Sequence, residues 1–218
     1  MKCWACGGEA PGGAVCGECG RLQPFPAGGD HWSVLGLPQR LVLDGADLES
    51  RFHGLNRRFH PDYFRLRTTE EQAISLENSA AVNTAYRTLR DPVTRVEYLL
   101  EMAGVAPGSA GQGRPPADLF EEILELQEAR QELSGASGEE AIALRARLGV
   151  AQRELEARRA GTEAELVILL PRWDAADEAG RGRLLGQLGD LLATRAYLKT
   201  VLRDLSATLG EGSEEGKD

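Results

Sequence analysis

Two sets of residues have the types and spacing to do chemistry. His60, Pro61 and Asp62 are consecutive, and the ring of Pro61 fixes its own φ while pushing the preceding residue out of the α region. A helix running into this tripeptide must stop, which leaves an imidazole and a carboxylate on a stiffened turn. Such a pair can present charge and hydrogen bonds to a partner, and Arg51, Arg57 and Arg58 lie just upstream. An ordinary helix-stop turn is the other reading of the tripeptide taken alone. The second set is Cys3-Trp4-Ala5-Cys6 and Cys16-Gly17-Glu18-Cys19, two CxxC pairs with nine residues between them. Each pair brings two thiolates to one ion from a tight turn, and Gly7 and Gly20 follow where such a knuckle suits glycine. Four thiolates with no histidine in register predict a closed, structural zinc site, one ion held by Cys3, Cys6, Cys16 and Cys19. Iron in the same cage and redox-active dithiols are the alternatives, although no thioredoxin-like pattern surrounds these cysteines.

The elements that must position these groups are helices. Apolar residues are mostly Leu and Ala at helical spacing, so the expected fold class is all-α. Residues 1–29 are rich in Gly and Pro, contain all four cysteines, and need a metal to fold. A short helical piece at 31–35 breaks at Gly36-Leu37-Pro38. Asp44 is an N-cap for a helix over about 46–59, in which Leu48, Phe52, Leu55 and Phe59 form one stripe and the three arginines fall outside it. Thr68 and Glu71 form a capping-box pair for a helix over about 69–90, with Ile74, Asn78, Ala81, Val82, Ala85 and Leu89 facing inward. The two long helices predict an antiparallel hairpin with His60-Pro61-Asp62 at its loop. A further helix restarts at Asp91-Pro92 and ends at Gly104. Three more are expected over about 118–133, about 138–170 ending before Pro171, and about 175–209, as a three-helix bundle.

This divides the chain into a tetracysteine knuckle at 1–29, a helical hairpin with flanking helices at 30–104, a linker at 105–117, a bundle at 118–210 and a disordered acidic tail at 211–218. At 218 residues with 42% hydrophobic and 27% charged content, two small domains fit better than one large core. The net charge of -9 argues against nucleic acid as the main partner, and the cysteine segment has only Lys2 and Arg21 as nearby cations. The longest uninterrupted apolar run, Leu166 to Leu170, is too short to cross a bilayer, and the N-terminus has no apolar signal region. The expected location is the cytoplasm, where four cysteines are metal ligands more often than disulfides.

The sequence around the tripeptide resembles a known domain. Leu55-Asn56-Arg57-Arg58-Phe59-His60-Pro61-Asp62, then Val82-Asn83-Thr84-Ala85-Tyr86-Arg87-Thr88-Leu89 and Asp91-Pro92-Val93-Thr94-Arg95, resemble the J-domain in order and spacing over about residues 31–103. Phe64 two residues after Asp62, Val96-Glu97-Tyr98-Leu99-Leu100 and Asp30-His31-Trp32-Ser33-Val34-Leu35-Gly36-Leu37 resemble one branch of it, the HscB-type co-chaperones of iron–sulfur cluster assembly. The tetracysteine segment, with Leu22-Gln23-Pro24 after it, resembles the N-terminal extension of eukaryotic members. The resemblance implies that His60, Pro61, Asp62, Arg51, Arg57 and Arg58 dock on an HscA- or DnaK-type chaperone and stimulate its ATPase, the arginines by steering and the tripeptide by triggering the switch. It implies a non-enzyme, since no nucleophile–base pair, phosphate loop or open metal site is apparent.

On the helix beginning near Asp118, Leu119, Ile123, Leu126 and Leu133 form the core stripe, while Phe120 and Leu124 fall to one side among Glu121, Glu125 and Glu128. This is either an apolar patch beside carboxylates or a widened buried stripe. Leu124-Glu125-Leu126-Gln127-Glu128 is similar to the HscB segment that contacts an IscU-type iron–sulfur scaffold. That resemblance implies scaffold contacts through Phe120, Leu124, Glu125, Glu128 and Tyr197. Glu121 stands where the family has an apolar residue. A general J-protein feeding unfolded clients is the alternative function, but the Gly/Phe-rich region and β-rich client domains of such proteins are missing from the sequence.

Overall fold

The computed structural model describes residues 2–10, 14–105 and 119–210. The expected linker at 105–117 falls almost wholly outside the described residues, and the acidic tail at 211–218 does so entirely. Seven helices are described: α1 (His31–Val34), α2 (Gly45–Phe59), α3 (Thr69–Arg90), α4 (Pro92–Met102), α5 (Phe120–Gly135), α6 (Gly138–Ala175) and α7 (Glu178–Leu209). Among the described residues the only extended pairing is two isolated antiparallel bridges, Lys2 with Glu9 and Val15 with Leu22. The all-α expectation is correct. No described helix is long and apolar enough to cross a membrane. The chain divides into two compact units, Met1–Arg95 and Val96–Asp218, and the division falls inside α4.

In the first unit the helix starts follow from their caps. Asp44 accepts from the N–H groups of Ala46 and Asp47, and Asp91 from those of Val93 and Thr94, filling donors a helix start leaves open. Helices α2 and α3 pack as a hairpin, with Leu48, Phe59, Val82, Ala85 and Leu89 buried and Phe52 stacked on Tyr86 at 4.1 Å between ring centroids. Arg95 is buried and satisfied by carbonyls, Leu89 at 2.7 Å and Leu41.

The capping box at α3 is only half made. Thr68 Oγ1 accepts from the Glu71 N–H at 3.3 Å, but the Glu71 carboxylate does not fold back. It is buried and bonded to Arg21 at 2.5 Å, with the Leu22 N–H as a further donor, because a charge-assisted guanidinium pair is stronger than a bond back to the Thr68 amide. The buried face of α3 also includes Ser75 and Ser79, which the apolar periodicity passes over.

In the second unit, Leu119, Ile123, Leu126, Ala129, Leu148, Leu155, Leu198, Leu202 and Leu205 form one core between α5, α6 and α7. Helix α6 has 38 residues and α5 has 16, about 57 Å against about 24 Å, so α5 covers only one end of the α6–α7 pair. The other end is closed by Leu166, Leu170, Trp173, Leu188 and Leu192, all buried. There Gly189 is itself buried, and a Cβ on it would stand 3.9 Å from Leu100.

Helix α6 does not end before Pro171 but continues to Ala175. Proline removes one N–H and strands the carbonyl of Val167. Both residues lie on the exposed face, where water can satisfy that carbonyl, while Leu170 and Trp173 keep the last turn packed. The structure therefore tolerates a residue that local rules treat as a stop.

Candidate functional site

The turn after α2 has the conformation that Pro61 dictates. His60 sits at φ -57°, ψ 125°, outside the helix, and Pro61–Phe64 form one 3₁₀ turn. The Asp62 N–H donates to His60 Nδ1 at 3.3 Å. His60 Nδ1 also lies 3.6 Å from Asp62 Oδ2, too far for a hydrogen bond. The backbone contact makes Nδ1 an acceptor, so the neutral ring carries its proton on Nε2. Asp62 pairs with Arg65 at 2.6 Å, and both His60 and Asp62 are about half exposed.

His60, Asp62 and Arg57 line a shallow hollow of about 260 Å³ together with His53, Asn56 and Tyr63. The structure thus brings three of the expected residues together. Arg58 is exposed at the end of α2 and does not line the hollow. Arg51 is tied down, with Nε on Asp47 at 2.9 Å and a terminal nitrogen on the Gly36 carbonyl at 2.6 Å. Sequence reasoning left out His53 and Asn56. Their signal is the helical step that places His53 four residues before Arg57 on the same face.

Each CxxC pair closes the same small turn. The Gly7 N–H donates to the Cys3 carbonyl and the Gly20 N–H to the Cys16 carbonyl, both at 3.0 Å. Both glycines have positive φ, 74° and 69°, which a side chain would strain. The four Sγ atoms lie within 4.8 Å of one another, with Cys3–Cys19 at 3.6 Å and Cys6–Cys16 at 3.8 Å. A tetrahedral zinc–thiolate site with ~2.3 Å bonds has sulfur–sulfur edges of about 3.8 Å, so the donor set fits one such ion.

Its electrostatics show what a cation would relieve. Burial raises the Cys3 thiol, yet the N–H groups of Cys6 and Ala5 and the neighbouring thiols outweigh it and bring it down to about 6. The Gly8 N–H lowers Cys6, but the Cys19 thiol, desolvation and the remaining thiols push it up to about 12. Four thiols this close compete for protons, which a bound cation would displace.

Leu119 just before α5 and Ile123 and Leu126 on it are buried, whereas Phe120 and Leu124 are 58% and 49% exposed. The widened-stripe alternative therefore fails. Glu121, Glu125 and Glu128 are exposed around the pair, and Glu125 bonds Arg147 of α6 at 3.1 Å. Tyr197 is half-buried against the bundle core, and desolvation raises its phenol.

No family model matches the chain. Among curated proteins it is 30% identical to the co-chaperone protein HscB homologue of Vibrio cholerae over 161 residues, covering 73% of this chain and 92% of the relative. It is 34% identical to the corresponding Vibrio vulnificus protein over 115 residues, covering 52% and 67%. Among solved structures, the crystal structure of human co-chaperone protein HscB superimposes with a TM-score of 0.62 at 24% identity, covering 95% of this chain and 98% of that one, which speaks for a common fold. Since nine-tenths of a relative's length aligns at 30% identity and the J-type turn lies at the end of α2, the chain belongs to the HscB family of co-chaperones.

Proposed function

We propose that the protein is an adaptor that binds an IscU-type iron–sulfur scaffold through its C-terminal bundle, brings it to an HscA- or DnaK-type chaperone, and triggers that chaperone's ATPase through its J-domain. The observation that carries the reading is the His60–Asp62 turn, held outside the helix and exposed beside Arg57. His60 keeps Nε2–H for a partner while Nδ1 is satisfied internally. Among the described residues Asp62 is paired with Arg65, whose side chain is 75% exposed, and has His60 Nδ1 at 3.6 Å. A surface pair of this kind is worth about 0–1 kcal/mol, so a chaperone group can replace Arg65 at little cost. Arg57 and Arg58 add positive potential that steers encounter with an acidic surface, and Arg51 adds less because Asp47 pairs with it. Acceleration requires that docking favour the hydrolysis-competent chaperone conformation over the resting one.

The cargo end is the exposed Phe120–Leu124 pair with Glu125, Glu128 and Tyr197, an apolar centre with a carboxylate rim of the kind that anchors a protein interface. Cys3, Cys6, Cys16 and Cys19 hold one structural zinc ion, closed to substrate and without catalytic work. The adaptor acts in the cytoplasm. The test is single-turnover hydrolysis by a purified HscA-type chaperone: His60→Gln abolishes stimulation while helical content is unchanged, and undiminished stimulation refutes the assignment.

A further inference from the structure

Between the tetracysteine knuckle and the His60–Asp62 turn runs an unbroken set of contacts within the first unit. Gln23 is fully buried and donates from Nε2 to Cys3 Sγ at 3.3 Å. Its backbone carbonyl accepts from Asn78 Nδ2 at 2.9 Å, and Asn78 Oδ1 accepts from the Phe25 N–H at 3.1 Å. The Asn78 amide thus grips the backbone of residues 23 and 25 with both ends, as a neighbouring strand would. The Phe25 ring then meets Phe59 edge-on, with centroids 5.3 Å apart and planes at 73°, a favoured aromatic geometry.

Phe59 is the last residue of α2, immediately before His60. Its carbonyl gets no helical amide, because the Tyr63 N–H that would serve it turns to the His60 carbonyl at 3.0 Å. Two buried hydroxyls of α3 take over, Ser75 at 2.6 Å and Ser79 at 2.7 Å. A second fastening joins Arg21, two residues past Cys19, to the buried Glu71 of α3. Among its described residues the knuckle's own buried cluster is Cys3, Ala10 and Cys16, too small a core to fold by itself, so its order depends on an ion gathering the four thiolates.

We infer that the tetracysteine segment positions the His60–Asp62 turn: the metal orders Gln23 and Phe25, and these, with Asn78, Ser75 and Ser79, set the direction in which the chain leaves α2. The inference rests on reading that turn as the chaperone trigger. Phe25 and Asn78 are positioning residues, acting on the chaperone through Phe59.

The experiment uses the full chain with its metal, as wild type, Phe25→Ala, Phe25→Leu and His60→Gln, with a purified HscA-type chaperone as the probe. Phe25→Ala raises amide exchange at Tyr63 about fivefold, the loss of one aromatic pair. It lowers maximal ATPase stimulation to a similar degree, and the half-saturating concentration stays within about twofold because the steering arginines are untouched. Phe25→Leu, which keeps an apolar contact, restores most of both. Stripping the metal from wild type with a chelator raises Tyr63 exchange in the same way. Should Phe25→Ala fail to fold, Asn78→Ala supplies the comparison.

Tyr63 exchange and maximal stimulation that match wild type after both Phe25→Ala and metal removal, with His60→Gln inactive, overturn the inference alone. A raised half-saturating concentration with unchanged maximum also overturns it, since that marks direct contact with the chaperone. An active His60→Gln overturns the trigger reading itself.

Discussion

Replacing Arg21 by Met tests the fastening between the cysteine segment and α3 in quantitative terms. Glu71 has a side chain 4% exposed and Arg21 one 40% exposed. Orphaning one member of a fully buried pair costs roughly 3–5 kcal/mol, and breaking an exposed pair about 0–1. With one end buried and the other reached by water, the expected loss is about 2 kcal/mol at pH 7. A ceiling exists, because Glu71 can escape by taking a proton, which at pH 7 costs a carboxyl of ordinary value near 4.5 about 3 kcal/mol. Burial raises the Glu71 carboxyl, but its hydrogen bond and charge contact with Arg21, joined by the Leu22 N–H and the charge of Arg67, outweigh this and hold it below that ordinary value.

The sign follows from linkage. In the wild type, Glu71 contributes stability that is complete above about pH 4.5 and is lost as pH falls through its lowered folded value. In Arg21→Met both Arg21 contributions are gone and burial is opposed only by the Leu22 N–H and the charge of Arg67, so the carboxyl rises above its wild-type position, and the penalty is largest at neutral pH and fades on acidification. The gap between wild type and variant is therefore about 2 kcal/mol at pH 7 and shrinks toward pH 4.5. Amide exchange at Val82, fully buried on α3, reads it as an opening free energy of this unit. In a Glu71→Gln background the gap loses its pH dependence. A gap under about 0.5 kcal/mol at pH 7, or one that does not change with pH, refutes the reasoning.

Two other outcomes follow from the remaining sites. Phe120→Ser with Leu124→Ser weakens calorimetric binding to an IscU-type scaffold by about tenfold or more, as loss of two exposed apolar anchors should, while stimulation of the chaperone without scaffold stays at the wild-type level; unchanged affinity contradicts the cargo face. Protein purified without added zinc carries one metal ion per chain by elemental analysis, and Cys3→Ser with Cys16→Ser removes it; four free thiols with no bound metal contradict the site.

What the sequence makes legible is what local chemistry decides. Asp44, Thr68 and Asp91 mark helix starts because their side chains bond amides two or three residues away, and the CxxC turns are complete within a few residues. Pro61 constrains its neighbour His60 in the same way. What stays hidden depends on partners distant in sequence. Glu71 reads as a capping-box carboxylate until Arg21, fifty positions away, claims it. Ser75 and Ser79 look like indifferent small residues on a helix, and their purpose emerges only when the Phe59 carbonyl, stripped of its amide, lies opposite them. Pro171 reads as a stop because the packing of Leu170 and Trp173 that carries α6 past it has no local signature. Phe120 and Leu124 were legible as apolar residues off the core stripe, but their exposure is settled only by where α5 lies on α6 and α7.

The central claim is that one chain couples a cluster scaffold to a chaperone's ATP switch, and single-turnover hydrolysis with all three purified components tests it most directly. The account predicts that the protein accelerates hydrolysis by an HscA-type chaperone, that an IscU-type scaffold increases the effect only when Phe120 and Leu124 are intact, and that His60→Gln gives no acceleration with or without scaffold. Acceleration by His60→Gln equal to wild type, or a scaffold effect indifferent to Phe120 and Leu124, would contradict it.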